Sequence, residues 1–453
     1  MKKQRIAGFD VGTSSLKITL SDPATGQITD NIKYDYIGFA ELRPGVVPLA
    51  VYEQSLYRAL LELSERYELL ALALDTQMYS VCAVENGQTV AYQWNSLWEK
   101  DVQKEQNFVH HLKRSGCQPD TLFGAYKIAT APPQERRSFL PYGLKAHLLR
   151  YLTGTLATDY SSGSAVGLLD IYTKQWNLPF VESLGFTGEQ LPQLCRHNQP
   201  FGKLRSGLPC GGAVVVPGLG DGPSASYACR QLGLFCGNLG TSMAARIFTE
   251  SPDLSSGSPL YTQAIDDEWY ITGGISSNAC SVFSWARQLG FDTGSSLRDT
   301  GHLQFIPWLR GERAPYWSSA LKGSFMGLQA DTSREDISAA VLKAVGFTFV
   351  TIARILERYK RGGDPLILAG GGSNSMALLQ LIAGCLDTDI AILQDADYLC
   401  STGAVLSAAQ GVGVTIDPQM RIDSIVHPEG DHRGEYERWL RTAQFLTDFY
   451  ENQ

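Results

Sequence analysis

The chain has 453 residues, of which 44% are hydrophobic and 19% are charged. This length is too great for one ordinary hydrophobic core and predicts two large domains or three small ones. The formal net charge of -8 is spread along the chain, and the basic residues form no run longer than a doublet such as Arg136-Arg137. This distribution argues against nucleic acid as the main partner.

The nine cysteines are an odd number and include no Cys-x-x-Cys pair, so the sequence predicts neither a zinc site nor a disulfide framework. Residues 2–10 run from basic residues straight into a short apolar strand, which leaves no room for the core of a signal peptide. By inspection, no stretch approaches the roughly 20 apolar residues of a membrane span. We therefore expect a cytoplasmic protein without a membrane partner.

The first predicted element is a β-hairpin whose turn is rich in glycine and hydroxyl residues. Apolar strands at 5–10 and 16–20 flank the turn at 11–15, as in a hairpin. Glycine lets a ligand approach the backbone, and hydroxyl and amide groups can bond phosphate oxygens. The candidate phosphate-binding residues are Gly12, Thr13, Ser14 and Lys17. Asp10 closes the first strand, where its carboxylate is a candidate Mg²⁺ ligand.

Strands and helices alternate through the first half of the chain, which is typical of an α/β fold. Leucines and alanines fall at helical spacing over 52–66, and an apolar strand follows at 69–74. A second amphipathic helix is predicted over 141–154. The small residues at 159–164 predict a loop that a ligand can approach closely.

Asp221 is the predicted general base. It lies between two glycines in a break predicted at 218–223, just after the apolar strand 213–217, so its carboxylate would stand at the mouth of a cleft. Such an acid can accept the proton of a hydroxyl group as that oxygen attacks a phosphorus atom. Gly-Asp-Gly is also an ordinary turn sequence, and this triplet alone favours the ordinary turn. The first domain is predicted to end near residue 230.

The second half repeats the pattern of the N-terminal hairpin. A strand at 233–239 leads into Gly240-Thr241-Ser242, and another strand follows at 244–248. The recurrence predicts two lobes of similar design, at residues 1–230 and 231–453. The glycine and hydroxyl residues of this turn, Gly240 and Thr241, are further candidate phosphate ligands.

A third glycine-rich loop joins a strand at 365–369 to a helix at 376–386. A strand, a glycine loop and a helix N-terminus form an arrangement that faces phosphates or nucleotides. Bare backbone at Gly371 and Gly372 would let adenine or ribose lie against it, with Asn374 or Ser375 bonding the edge of the base. A glycine triplet alone is weak evidence, because it also makes a flexible turn.

Other common catalytic motifs do not occur in the sequence. The seven histidines show no metal-ligand spacing, and we assign them no role. Neither the Gly-x-Ser-x-Gly nucleophile motif nor the Gly-x-x-x-x-Gly-Lys-Ser/Thr loop is present. A hydrolase and a P-loop kinase therefore lose support.

Taken in order, these motifs resemble the FGGY carbohydrate kinase family over nearly the whole chain, up to about Gly413. The most specific stretch is 305–328, which contains Gly-Glu-Arg-Ala-Pro-Tyr-Trp at 311–317. The supporting motifs are Asp10-Val11-Gly12-Thr13, Leu152-Thr153-Gly154 with Asp159-Tyr160-Ser161, Gly167-Leu168-Leu169-Asp170 with Trp176, Gly370-Gly371-Gly372 and Thr402-Gly403-Ala404. Six ordered motifs are hard to obtain by chance.

The resemblance implies an α/β fold of two ribonuclease-H-like, actin-like ATPase domains around a central cleft. It implies ATP and Mg²⁺ as cofactors and a sugar bound against the N-terminal lobe, with cleft closure before phosphoryl transfer. The resemblance implies that Asp221 is the general base and that Asp10 is the carboxylate that faces Mg²⁺. The implied nucleotide-side residues are Thr13, Thr241, Gly311, Gly371 and Ser375, and the implied sugar-pocket residues are Gln77, Met78 and Trp94.

Departures from the family pattern bear on the substrate. Tyr79 stands where xylulose-type members carry histidine, and 94–98 reads Trp-Asn-Ser-Leu-Trp in place of Trp-x-Asp-x-Arg. Tyr79 therefore joins the candidate sugar-binding residues. The segments 220–222 and 311–317 are more similar to gluconate-kinase members. Gluconate is the first expected substrate, and xylulose or another ketose is the second.

One alternative belongs to a different class of protein. A non-kinase relative of the same fold, switched by ATP or sensing a sugar, would keep the nucleotide loops. Such a protein has no need of a base that faces the sugar, so Asp221 favours catalysis. The expected ligands are a small sugar and ATP, without nucleic acid, and a homodimer is left open.

Overall fold

The computed structural model describes residues 2–36, 38, 40–98, 106–252, 258–292, 297–360, 362–394, 396–418 and 420–451, and the side chains of all of these except 106 and 107. The strands are β1 (Lys3–Val11), β2 (Ser15–Asp22), β3 (Gln27–Asp35), β4 (Val46–Pro48), β5 (Tyr67–Thr76), β6 (Val81–Glu85), β7 (Gln88–Tyr92), β8 (Ala157–Asp159), β9 (Leu169–Asp170), β10 (Gln175–Trp176), β11 (Gln193–Cys195), β12 (Gly202–Lys203), β13 (Val214–Val216), β14 (Phe235–Leu239), β15 (Met243–Thr249), β16 (Tyr261–Ala264), β17 (Tyr270–Ser276), β18 (Gln304–Ile306), β19 (Ser324–Met326), β20 (Leu366–Ala369), β21 (Ile390–Leu393) and β22 (Ile422–Val426). The α-helices are α1 (Leu49–Arg66), α2 (Gln106–Arg114), α3 (Gly124–Thr130), α4 (Pro133–Arg136), α5 (Leu144–Thr153), α6 (Tyr160–Val166), α7 (Leu178–Ser183), α8 (Asp221–Cys229), α9 (Cys280–Gln288), α10 (Arg334–Leu356), α11 (Met376–Leu386), α12 (Leu399–Gly411) and α13 (Arg433–Glu451). Short 3₁₀ turns cover Gly188–Gln190, Glu357–Tyr359, Gly371–Asn374 and Ala396–Tyr398.

The N-terminal half is built on a six-stranded sheet with the order β12-β13-β5-β1-β2-β3. The predicted hairpin is confirmed, since β1 and β2 pair antiparallel across the turn at 12–14. On its other side β1 pairs parallel with β5, and β5 pairs parallel with β13. Parallel strands end at the same edge of a sheet, so the carboxyl ends of β1, β5 and β13 meet at one place.

The C-terminal half repeats this arrangement in a seven-stranded sheet with the order β16-β17-β15-β14-β20-β21-β22. Here β14 pairs antiparallel with β15 across the turn at 240–242, and parallel with β20 on its other side. The pairing of β14 with β15 and β20 therefore matches that of β1 with β2 and β5. The internal repetition that the sequence suggested is present in the topology.

Each sheet is covered by helices that bury a separate apolar core. In the N-terminal half α1 and α5 pack beside the sheet. In the C-terminal half α10 packs against β15 and β17, and most of its side chains are buried. The central strands are mostly buried, as in β1, β5 and β17, which is expected of sheets that are packed against helices.

The segment Arg334–Tyr359, which includes α10, is the one helix of the described residues that is long and apolar enough to cross a membrane. The prediction that no stretch of the sequence approaches the length and apolar composition of a membrane span is therefore wrong. In the structure 89% of its apolar window is buried inside the protein, as expected of a helix at the centre of a core.

Helix α12 belongs to the C-terminal half of the sequence but packs on the N-terminal sheet, against β1 and β5. The approach is so close that a Cβ atom added at Gly8 would lie 2.1 Å from the Ser401 carbonyl oxygen. A Cβ atom added at Gly403 would likewise lie 2.0 Å from the Ser224 carbonyl oxygen. Glycine is therefore required at both positions by the contact between α12 and the first half.

Two local predictions are wrong. Residues 159–164 were expected to form a loop, but the structure has helix α6 there, and the Asp159 side chain caps it by accepting from the amides of Ser161 and Ser162. The break expected at 218–223 ends early, because α8 begins at Asp221. Both helices are rich in small residues, which are typical of loops. The sequence signals for the helices were the capping Asp159 of α6 and the first-turn Asp221 of α8.

Candidate active site

Three carboxylic acids meet where β1, β5 and β13 end. Asp10 and Asp75 are direct partners in the parallel register of β1 and β5. The chain after β13 continues beside β5 through a bridge between Thr76 and Gly220, which sets Asp221 next to them as the first residue of α8. Sequence reasoning selected Asp10 and Asp221 but missed Asp75, although it also closes an apolar strand.

Burial raises the pKa of all three acids. The pKa of Asp10 rises to about 7, first through burial and then through the charge of Asp221, and Lys17 opposes the rise. Asp75 has a pKa well above its usual value because it is buried beside both other acids. Burial also raises the pKa of Asp221, against the opposing effect of Arg246 and of the backbone amide of Gly222.

Asp221 is held as an acceptor at the beginning of a helix. Its Oδ1 accepts from the backbone amide of Gly222 at 2.7 Å, and the Met78 amide is a second backbone donor. Donors of this kind, together with the positive end of the helix dipole, favour a carboxylate over a carboxylic acid. Asp221 is thus fixed in position and supplied with groups that stabilise its charge.

A buried lysine, which sequence reasoning missed, joins the strand ends that carry the acids. Lys145 on α5 donates to the carbonyl oxygens of Leu74 (2.5 Å), Pro217 (3.0 Å) and Leu219 (2.8 Å). Burial lowers its pKa, while the charge of Asp159 raises it. The lysine is one charged position on an otherwise apolar helix face, which is the only signal that the sequence offers for it.

The acids fit a hard divalent cation. Oxygens of Asp10 and Asp75 and the sulfur of Cys400 lie within 4.8 Å of one another. Both Asp75 oxygens are buried and have no hydrogen-bond partner among the described residues, and the neighbouring Ser224 hydroxyl donates to the Cys400 carbonyl oxygen instead. Mg²⁺ takes oxygen ligands, so the two carboxylates suit it. The Cys400 thiol does not, because burial holds its pKa well above the usual value.

Asp10 and Asp221 line a cleft between the two halves, with a volume of about 950 Å³ counted to its open mouth. Its polar lining comes from both sheets and includes Asp10, Lys17, Asp221, Asn238, Arg246 and Gly370. Lys17 is directed across the cleft, where Nζ donates to the Asp397 carbonyl oxygen at 2.7 Å. Of the predicted residues, Asp10, Lys17 and Asp221 therefore come together in this cleft.

Each hairpin turn is closed by a hydrogen bond from its glycine amide, which reaches the third residue along in the first turn and the second residue along in the other. The Gly12 amide donates to the Ser15 carbonyl oxygen (3.1 Å), and the Gly240 amide donates to the Ser242 carbonyl oxygen (3.0 Å). Ser14 and Thr241 are exposed, and Thr13 is half-buried. These turns leave their hydroxyl groups accessible, as a phosphate-binding turn requires.

The glycine loop at 370–372 lies beside the second turn. Gly370 has φ +96°, and a Cβ atom on it would lie 2.5 Å from Asn238 Oδ1. Gly371 is exposed and has no heavy atom within 4 Å of its Cβ position. Ser375 caps α11 by accepting from the Leu378 amide, and Asn374 ends the preceding 3₁₀ turn.

Gly311 lies in a different setting from these loops. It is not part of the cleft lining found among the described residues. Its carbonyl oxygen accepts from Asn278 Nδ2 at 2.7 Å, and its φ is +68°. The geometry therefore gives Gly311 a role in its own turn, and contact with a nucleotide stays a prediction.

The predicted sugar residues form a connected group next to the cleft. Thr13 Oγ1 donates to Gln77 Oε1 at 3.4 Å and accepts from Trp94 Nε1 at 3.3 Å. Gln77 also donates to the Tyr52 hydroxyl at 2.9 Å. Gln77, Met78 and Tyr79 line a smaller space of about 250 Å³ beside α5. The first phosphate turn and the candidate sugar residues are therefore directly linked.

Tyr79 extends this group toward the C-terminal half. It has a φ of +63°, which is uncommon for a residue other than glycine, and its hydroxyl accepts from Gln263 Nε2 at 3.0 Å. Its ring packs edge-on against Phe123 and Tyr261. Arg246 donates from Nε to the Tyr261 hydroxyl at 2.8 Å, so an arginine missed by sequence reasoning adjoins this group.

Family models match most of the chain. The N-terminal domain model of the FGGY family of carbohydrate kinases matches residues 73–226, and its C-terminal domain model matches residues 237–411. Gluconokinase of Bacillus subtilis (strain 168) is 22% identical over 447 residues, covering 88% of this chain and 86% of that protein. Xylulose kinase of Lactococcus lactis subsp. lactis (strain IL1403) is 24% identical over 463 residues, covering 93% and 91%.

Solved structures share the whole fold. A gluconate kinase from Lactobacillus acidophilus superposes with a TM-score of 0.84 at 22% identity, covering 99% of both chains. A glycerol kinase from Plasmodium falciparum with ADP superposes with a TM-score of 0.82 at 20% identity, covering 98% of both chains. These identities are low, and the likeness is one of fold.

Proposed function

This chain belongs to the FGGY family of carbohydrate kinases, and we propose that it transfers the γ-phosphoryl group of ATP to a hydroxyl group of gluconate, with Asp221 as the general base. Membership of the family makes the chain a sugar kinase that uses ATP. Its fold is the two-domain, actin-like ATPase fold expected from the sequence. Xylulose or another ketose is the second candidate substrate.

The position of Asp221 is the observation that carries the proposal. Its carboxylate lines the cleft that both hairpin turns approach. An acceptor hydroxyl bound there would donate its proton to Asp221 while its oxygen attacks the phosphorus atom. A protein that uses ATP only as a switch needs no such group, and a half-buried carboxylate beside two buried acids is costly to keep without a function.

The residues around Asp221 support a division of tasks. The amides and hydroxyls of the turns at 12–14 and 240–242, with Lys17, would bind the phosphates of ATP. Asp10 and Asp75 would hold Mg²⁺, which would supply positive charge to neutralise the phosphates of ATP. Lys145 holds the strand ends that carry Asp75 and Asp221 at their positions.

We further propose that residues 1–230 form the sugar-binding lobe and residues 231–453 the nucleotide-binding lobe. One sheet in each part supports this division, although α12 of the second part packs on the first sheet. The nucleotide would lie along Gly371, Gly372, Asn374 and Ser375. The sugar would lie near Gln77, Met78, Tyr79 and Trp94, and closure around it would exclude water as a competing acceptor.

The choice of gluconate has two supports. The gluconokinase of Bacillus subtilis and the gluconate kinase structure of Lactobacillus acidophilus are both similar to this chain along almost its whole length. A xylulose kinase is 24% identical over 93% of this chain, against 22% over 88% for the gluconokinase, which keeps a ketose as the second candidate.

The test is ADP release by the purified protein with ATP and Mg²⁺ across gluconate, xylulose, ribulose and glycerol. We expect gluconate to accelerate ADP release far above the rate without sugar. If ATP binds and none of these sugars accelerates its consumption, gluconate is wrong as the substrate, and the chain acts either on a sugar outside this set or as the ATP-switched alternative.

A further inference from the structure

Arg246 is a charged residue in the middle of an otherwise apolar strand, β15, and its side chain lines the cleft. Nε donates to the Tyr261 hydroxyl at 2.8 Å. In the part of the chain that the structure describes, this is the only hydrogen bond of the side chain, and Arg246 is in none of the ion pairs found there. Its two terminal nitrogens therefore have no acceptor among the described residues, and the side chain lines the cleft.

Arg246 is half-buried, so water screens its charge less than at an exposed position, and an anionic ligand in the cleft would form charge-assisted hydrogen bonds with it. The main chain is shaped to let the group approach, since a Cβ atom on Gly222 would lie 2.8 Å from Arg246 Cζ. Asp221 contributes a favourable charge at longer range. Carboxylates match the planar fork of an arginine better than single hydroxyl groups do.

The neighbours of Arg246 suit a polyhydroxylated molecule. Gln263 donates to the Tyr79 hydroxyl, and its Oε1 is buried without a partner among the described residues. A substrate hydroxyl would satisfy that acceptor. Gln263 follows Tyr261, the partner of Arg246, by two residues on β16, so a compound that carries both a carboxylate and hydroxyl groups would suit the two side chains.

The alternative anion is the phosphoryl group in transfer. That group is expected at the hairpin turn, where Lys17 and the turn amides already stand. Arg246 follows Ser242 by four residues, which is about 13 Å of extended strand. Its contacts with Tyr261 and, through it, with Tyr79 lie on the side of the candidate sugar residues. The surroundings favour the substrate carboxylate.

We propose that Arg246 determines substrate specificity by binding the carboxylate of an aldonate, so that the enzyme prefers a sugar acid to the corresponding neutral polyol. The inference rests on the proposed sugar-kinase function and names the residue that selects its substrate.

The test compares gluconate with glucitol, in which a CH₂OH group replaces the carboxylate. For Arg246→Gln we expect KM for gluconate to rise about 10- to 100-fold, the range of a lost charge-assisted hydrogen bond. The kcat for gluconate, KM for ATP and the activity on glucitol should change little. Arg246→Lys should recover part of the loss. Arg287→Gln, which alters an exposed arginine on α9, is the matched control.

A variant that loses kcat equally on gluconate and glucitol would show that Arg246 acts on the phosphoryl group, and would overturn the proposal. Gluconate titration by calorimetry without ATP separates this inference from the proposed function. If the wild type binds gluconate without phosphorylating it and Arg246→Gln loses that binding, the inference stands while the proposed function fails. If the wild type does not bind gluconate, the inference is overturned.

Discussion

The ammonium nitrogen of Lys145 lies 3.3 Å from Asp159 Oδ1, and both side chains are buried. The same nitrogen donates to the carbonyl oxygens of Leu74 and Leu219, which precede Asp75 by one residue and Asp221 by two. One side chain thus connects the ends of two strands to the helix α6 that Asp159 caps. The positions of Asp75 and Asp221 depend on this connection.

Replacing Lys145 with methionine should destabilise the protein strongly. The change leaves Asp159 as an unpaired buried carboxylate, which costs about 3–5 kcal/mol. Urea unfolding measures the loss, and Lys203→Met, at an exposed position, should stay within about 0.5 kcal/mol of the wild type. A Lys145→Met variant as stable as the control would contradict the role assigned to this lysine.

The buried Glu312 should make the free energy of unfolding depend on pH. Burial raises its pKa from 4.5 to about 7 in the folded protein. Its favourable contribution to stability is therefore complete below pH 4.5 and is lost as the pH rises through about 7. Glu312→Gln should gain stability relative to the wild type between pH 4.5 and pH 8, by at most about 3 kcal/mol.

The measurement for Glu312 is thermal or urea unfolding at several pH values. Glu437→Gln, at an exposed position on α13, serves as the control and should follow the wild type at every pH. A difference between Glu312→Gln and wild type that is constant with pH would refute the prediction.

Asp75 should affect the Mg²⁺ concentration that the enzyme needs for activity. If Asp10 and Asp75 hold Mg²⁺, Asp75→Asn removes one carboxylate, and the Mg²⁺ concentration for half-maximal activity should rise about tenfold or more. Asp423→Asn, an exposed change on β22, should leave it unchanged. If the Asp75→Asn variant is half-saturated at the same Mg²⁺ concentration as the wild type, Asp75 is not a magnesium ligand.

A substitution at Gly371 should affect nucleotide binding without affecting the stability of the fold. No heavy atom lies within 4 Å of its Cβ position, so Gly371→Leu should change the free energy of unfolding by only about 0.5 kcal/mol. If adenine or ribose lies on this backbone, the leucine side chain should raise KM for ATP several-fold while KM for the sugar stays the same. An unchanged KM for ATP would place the nucleotide elsewhere.

Local features of the site were predictable from the sequence. The hairpin turn after Asp10 and the helix after Ser375 follow from apolar runs, glycine and a capping serine, which act within a few residues of the chain. Asp221 was selected because it follows an apolar strand, and it does line the cleft. Such features depend on local backbone preferences, which a single sequence displays.

Pairings between distant segments were not predictable. Asp75 stands beside Asp10 because of the register between β1 and β5, and Arg246 adjoins Gly222 because the two halves meet. Lys145 reaches three carbonyl oxygens at 74, 217 and 219. These contacts arise from the tertiary fold, which local patterns do not encode.

The most direct test of the account is the effect of Asp221→Asn on sugar-dependent ADP release, measured beside the affinity for ATP. The amide keeps the shape of the side chain but cannot accept a proton as a base does. We expect kcat to fall about 100- to 10,000-fold while ATP binds with the wild-type affinity. A variant that retains wild-type kcat would contradict the assignment of Asp221 as the general base.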